Sequence, residues 1–104
     1  MPANDTRSAP LSARAVIARV RERQPLVHCI TAAVSMGLVA DGLLASGARP
    51  LMTETLAEAP YLTTEADALV INLGTLSTDA AAAIPATVEA ATAAAMPWVL
   101  DPTA

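Results

Sequence analysis

"LVHCITAAVSMGLVADGLLASGARPLM", residues 26–52, decides the fold. It opens on a short apolar run, "LVHCIT", in which Val27 and Ile30 suit a buried strand. "VSMGLVADGLLASG" then reads as a helix. Gly47 is a good residue to end it, since glycine enters the left-handed conformation of a helix terminus without a Cβ clash. "ARPLM" is a second strand in outline. Its Pro50 has no N–H for a ladder, so an edge position, a strand start or a bulge is expected. Gly37 and Gly42 lie inside the helical stretch, where each costs about 1 kcal/mol relative to alanine. Close approach of another backbone or of a ligand is expected to offset that cost.

Upstream, "LSARAVIARVRERQ" puts Ala13, Val16, Ile17 and Val20 near helical spacing, with Arg14, Arg19, Arg21 and Arg23 on other faces. Pro10 and Pro25 bracket this helix. Downstream, "TLAEAPYLTTEA" is a short helix or helical turn that Pro60 limits. "ALVINLG" is the clearest strand, branched, continuous and ended by Gly74. "STDAAAAIPATVEAATAAA" is an alanine-rich helix, with Ser77 or Thr75 as its cap and Asp79 complementing its N-terminal dipole. Pro85 should kink it. "PWVLDP" is the last strand.

Helices and strands therefore alternate from end to end, and the strand runs are apolar without period-two alternation. That pattern predicts an α/β fold, a mostly parallel sheet with helices on both faces. Ligands of such sheets bind beyond the carboxyl ends of the strands. The residues that matter are then Thr31–Val34, Met52–Glu54, Asn72–Thr75 and Asp101–Pro102. The chain stops at "LDPTA", just after a strand, where an α/β layer ordinarily continues with a helix. It is expected to be the first part of something longer.

Composition bounds the function. With 104 residues, 54% hydrophobic and 15% charged, the chain suits one small domain with a buried core. Aromatics supply only 2%, so Ala, Val and Leu must fill thin layers with close helix–sheet contacts. The net charge is −4, without lysine, and that balance with so few stacking rings excludes a nucleic-acid partner. Apolar stretches break before about 18 residues, so no membrane span is expected. "MPANDTRSAP" has no apolar core of a secretory signal and reads, over residues 1–9, as a flexible lead. One cysteine makes no internal disulfide, which fits a reducing, cytoplasmic setting. One His and one Cys make no structural zinc site.

Candidate chemistry is sparse. No phosphate-binding loop of the GxxxxGK[ST] type and no GxGxxG follows a strand. "NLGTLS" offers backbone N–H groups at a helix start, which suits an anion, although a plain cap has the better prior. His28 and Cys29 are strand neighbours and point to opposite faces, which disfavours a nucleophile pair and favours a buried thiol beside a hydrogen-bonded imidazole. Met52 suits core or the apolar wall of a heterocycle site. Asp101 suits a loop cap or a Mg²⁺ ligand equally. Asp41 and Glu54 read as solvated or capping groups.

In register, "PLVHCIT", "ADGLLASGARPLM", "ADALVINLGTLS" and "PWVLDP" resemble the hydroxyethylthiazole kinase family of the ribokinase-like superfamily, from about Leu11 onward. The resemblance implies a three-layer ribokinase-like fold, with residues 10–104 as the N-terminal part of a kinase domain. It implies transfer of phosphate from ATP, with Mg²⁺, to the hydroxyl of 4-methyl-5-(2-hydroxyethyl)thiazole in thiamine salvage. It further implies a homotrimer with sites between subunits. By resemblance Met52 and Val34 contact the thiazole, Asp101 lies near Mg²⁺ and the phosphates, and the Gly74–Thr75 turn lies at the nucleotide end. Ala32 departs from the pattern, because the family usually carries Asn after "HCIT". The catalytic residue and the main ATP contacts belong to a second half that the resemblance places after "LDP". Residues 1–104 alone are then expected to be inactive. Two other readings stay open: a non-catalytic thiazole-binding or subunit-interaction module, and a kinase of the same superfamily acting on a hydroxymethylpyrimidine.

Overall fold

A computed structural model of the chain describes residues 12–103. The lead expected at residues 1–9, with Pro10 and Leu11, lies outside the described residues. The elements are α1 (Ala13–Arg23), β1 (Leu26–Ile30), α2 (Ala33–Ser46), β2 (Arg49–Leu51), α3 (Ala59–Thr63), β3 (Ala68–Asn72), α4 (Thr78–Ala93) and β4 (Trp98–Asp101). The four strands form one sheet in the order β2-β1-β3-β4, and every neighbouring pair is parallel. The alternation of elements and the parallel α/β sheet are as the sequence predicts. Pro50 sits in the edge strand β2, where a missing N–H is tolerated.

Helices cover both faces. Val27, Cys29 and Ala48 are buried on one face, against Val20 of α1, Val39 and Leu43 of α2, Met52 and Val70. On the other, Ile30 packs with Ala59, Ala80 and Ala83, and Leu69 and Ile71 pack with Ala91, Val88 and Ile84. Ala59 of α3 and Ala80, Ala83 and Ala91 of α4 are fully buried, so small side chains bring these helices close to the sheet. Leu69 and Ile71 are fully covered, while Ala68, Val70 and Asn72 between and beside them are half-buried. All four residues of β4 are exposed.

Local chemistry explains the boundaries. Ser12 caps α1 by accepting from the Ala15 N–H. Gln24 closes that helix in a left-handed conformation, and its N–H returns to the Val20 carbonyl at 2.8 Å. Gly47 closes α2 at φ 98°, and a Cβ there would stand 2.9 Å from the Arg21 Cα, so glycine is required twice over. Asp67 accepts from the Leu26 N–H at 2.7 Å and pins the start of β1.

One local expectation is corrected and one open alternative is resolved. Pro60 does not limit α3 but opens it, in the first turn, where its absent N–H would have no helical partner. Thr75 does not cap α4; Ser77 does, accepting from the Ala80 N–H at 3.0 Å. Pro85 lies inside α4, which runs on through it to Ala93. Both Pro85 and Ala81, whose carbonyl loses its helical partner, are exposed, so water can take that carbonyl. Finally, nothing in the described chain approaches Gly37 or Gly42: a Cβ at either would meet no atom within 4 Å. They lie on the exposed side of α2, beside Val34, 88% exposed, and Leu38, 77% exposed.

Candidate functional site

Four parallel strands put their carboxyl ends on one edge of the sheet. β1 leads through α2 outward to β2, whereas β3 leads through α4 outward to β4 in the opposite direction. The crevice of such a sheet opens where the connections diverge, between the ends of β1 and β3. The segments 31–34, 52–54, 72–75 and 101–102 stand at this edge.

At the end of β1, Thr31 and Ala32 are buried. The Ala32 carbonyl accepts from Thr31 Oγ1 at 3.1 Å and from the Ser35 N–H and hydroxyl at 3.1 and 3.2 Å. Ala32 is also the N-cap of α2, and no side chain caps that helix start. Val34 follows in the first turn and points away from the described residues, as its exposure shows.

Beyond β2, Met52 is half-buried on the cluster of Val27, Cys29 and Ala48. The Thr53 carbonyl accepts from His28 Nε2 at 2.7 Å. A carbonyl only accepts, so Nε2 carries the proton, and burial, which lowers the ring's pKa, favours the neutral form at pH 7. Its Nδ1 is then a buried acceptor without a partner among the described residues. Glu54 Oε2 accepts from the Ser77 hydroxyl at 2.9 Å, so Ser77 donates to the β2 loop while capping α4.

At β3 and β4, Asn72 stands opposite Asp101 in the ladder, and its Nδ2 donates to Asp101 Oδ2 at 3.3 Å. Asn72 Oδ1 accepts from the Gly74 N–H at 2.8 Å, and Asp101 Oδ1 accepts from the Thr103 N–H at 2.9 Å. A Cβ on Gly74 would meet Asn72 Oδ1 at 3.0 Å and Thr103 Cγ2 at 3.1 Å, so the turn needs glycine for space. Thr75 takes a positive φ of 44°, uncommon for a branched residue. The Gly74 amide serves Asn72, and Asp101 caps its own turn with its side chain exposed to solvent.

Burial sets the remaining chemistry. Desolvation pushes the Cys29 thiol up to about 11, and it holds the His28 imidazole below its ordinary range against the opposing effect of the Thr53 bond. Both side chains are buried, and Cys29 packs in the Val27–Ala48 cluster of α1 and α2, away from the Ile30 face. A buried thiol and a hydrogen-bonded imidazole are what the strand geometry favours. Among the described residues, no three His, Cys, Asp or Glu side chains converge into a metal cage. Nor is any helix among them long and apolar enough to cross a membrane.

The structure thus gathers Ala32, Met52, Gly74, Thr75 and Asp101 along one edge and turns Val34 outward. It adds three linking groups that sequence reasoning missed: His28 on Thr53, Glu54 on Ser77, and Asn72 on Asp101. The polar ends of two apolar strands, Asn72 and Asp101, were the available signal for the last. The other two join segments far apart in the chain.

The family model described as "HK: Hydroxyethylthiazole kinase family" matches residues 17–104. A hydroxyethylthiazole kinase of Rhizobium johnstonii is 46% identical over 99 residues, 95% of this chain and 36% of that protein. A thiamine biosynthesis bifunctional protein ThiM/ThiE of Symbiobacterium thermophilum is 54% identical over 84 residues, 81% of this chain and 18% of that protein. The solved structure of a hydroxyethylthiazole kinase protein from Pyrococcus horikoshii superposes with a TM-score of 0.80 at 43% identity, over 86% of this chain and 35% of its own. The chain spans about a third or less of the length of these relatives.

Proposed function

The chain belongs to the hydroxyethylthiazole kinase family, and we propose that it supplies the thiazole side of an ATP-dependent kinase. The acceptor is the hydroxyl of 4-methyl-5-(2-hydroxyethyl)thiazole, and the setting is thiamine salvage in the cytoplasm. The observation that carries this reading is that the family match runs through all four strands and into the segments beyond them, which share one edge of the sheet. Phosphoryl transfer rests on positioning and charge neutralisation more than on covalent chemistry, which suits an edge built from loop ends rather than a nucleophile.

Met52 is assigned to the thiazole wall, with Ala32 at its base. Val34 is assigned to the same ligand across a subunit boundary, because it faces outward from α2. An apolar, largely exposed α2 supports a homotrimer with sites between subunits. Gly74 and Thr75 are assigned to the nucleotide end. Asp101 fits Mg²⁺: its exposed carboxylate is a hard oxygen ligand, and Mg²⁺ commonly needs only one or two carboxylates beside phosphates and water. When bound, Mg²⁺ would neutralise phosphate charge. Residues 10–104 form the N-terminal part of the kinase domain, and residues 1–104 alone transfer no phosphate.

The test is an ADP-release assay with ATP, Mg²⁺ and the thiazole alcohol. It compares purified residues 1–104 with a chimera completed by the remaining sequence of the Rhizobium johnstonii relative. Thiazole-dependent turnover in the chimera alone is expected. A folded but inactive chimera would overturn the kinase reading and favour a thiazole-binding module, whereas turnover by residues 1–104 would overturn the assignment of catalysis elsewhere.

A further inference from the structure

The Met52–Glu54 segment belongs to no strand or helix, so no regular hydrogen-bond ladder holds it. β2 is three residues long and lies at the sheet edge, and its central residue is a proline without an N–H. Residues 52–58 lie in no helix or strand. Yet this is the segment that carries Met52 and the Glu54 bond to Ser77.

His28 reaches it from the neighbouring strand. The imidazole is fully buried in the middle of β1, and its Nε2–H meets the Thr53 carbonyl at 2.7 Å. Its other nitrogen, Nδ1, is buried with no hydrogen-bond partner among the described residues. An apolar side chain would fill the same space without orphaning an acceptor, so packing alone does not account for a histidine there. What it supplies is a neutral donor long enough to span from β1 to the loop beyond β2.

We propose that His28 is a positioning residue: its Nε2–H fastens the Thr53 carbonyl and thereby sets where Met52 meets the thiazole. The assignment rests on Met52 as a thiazole contact. The clamp acts in series with Glu54 and Ser77, so that β1, the β2 loop and the start of α4 are joined at the edge of the crevice. Because Asn72 and Asp101 are linked separately, loosening Thr53 should spare the nucleotide end.

The experiment uses the family-length chimera with three variants. H28L removes the donor and keeps an apolar side chain. H28Q returns an N–H near the place of Nε2. M52A tests the pocket. H28L should raise the thiazole KM about tenfold, the scale of one lost hydrogen bond, with the ATP KM nearly unchanged, and H28Q should recover most of the loss. A general structural role would instead move both KM values, or the active fraction, together. If M52A raises the thiazole KM and a folded H28L does not, the clamp is wrong and the pocket stands. If M52A changes nothing, the pocket reading fails and the clamp falls with it. Should H28L not fold, imidazole ¹⁵N shifts of the unmutated chimera decide: a neutral Nε2–H tautomer is expected, and an Nδ1–H tautomer would overturn the proposal.

Discussion

Cys29 and His28 are neighbours in β1, and burial removes both from ordinary acid–base behaviour at neutral pH. A thiol pushed up to about 11 presents almost no thiolate near pH 8. Thiol reagents at that pH should therefore leave Cys29 unmodified in the folded protein and modify it fully in denaturant. Rapid labelling without denaturant would show that the Val27–Ala48 cluster opens. His28 sets the acid side. Its folded value lies below the ordinary 6.5, so the unfolded chain binds the extra proton between those two values. The stabilisation is complete above 6.5 and is lost as pH falls through the window down to the folded value. Urea midpoints should thus decline as pH is lowered below 6.5 in the chimera, and H28Q should flatten that part of the profile. An equal decline in H28Q would assign it to other groups. On the alkaline side Cys29 acts in the opposite sense. Its raised value gives stability that is present below 9.0 and lost as pH rises toward 11.

At the scale of elements, α2 is the least finished part of the fold. Its N-cap Ala32 offers no side-chain oxygen, no acidic residue lies in its first turn, and two glycines sit on its open side. An amide in place of the methyl of Ala32 should have two effects, tested by Ala32→Asn. One is a cap for α2, worth about 1 kcal/mol by the usual scale of such caps. The other is a hydrogen bond to the thiazole, worth about 0.5–1.5 kcal/mol in affinity. The two are separable: melting without ligand reads the cap, and calorimetric titration with the thiazole reads the contact. A higher melting temperature with unchanged affinity would remove position 32 from the binding site while keeping it in the helix. The exposed glycines raise a related point. Their expected offset, a close backbone neighbour, is not found within the described chain, so the space beside α2 is free for an outside occupant.

For the whole molecule, the proposed occupant is another subunit. Val34, Leu38 and Leu44 are exposed on a helix that is apolar nearly all round. The chimera should therefore run as a trimer in light scattering. L38D should dissociate it, with little effect on monomer stability because Leu38 makes few contacts of its own at 77% exposure. A trimer that survives L38D would place the interface elsewhere. The exposed β4 raises the same issue at the other edge.

Much of this architecture was legible along the chain. The alternation of helices and strands, the stops at Gly47 and Gly74, the edge placement of Pro50 and the opposed faces of His28 and Cys29 all follow from local rules. Those rules involve φ preferences, missing N–H groups and the two-residue repeat of a strand, which act within a few residues. The same locality explains the misses. Pro60 was read as limiting its helix, but a proline's effect depends on which end of the helix it occupies. The order β2-β1-β3-β4, the outward turn of Val34, and the bonds of His28 to Thr53, Glu54 to Ser77 and Asn72 to Asp101 were decided only by tertiary structure. Each depends on which distant segments become neighbours, and no residue carries that information in its own conformational preference.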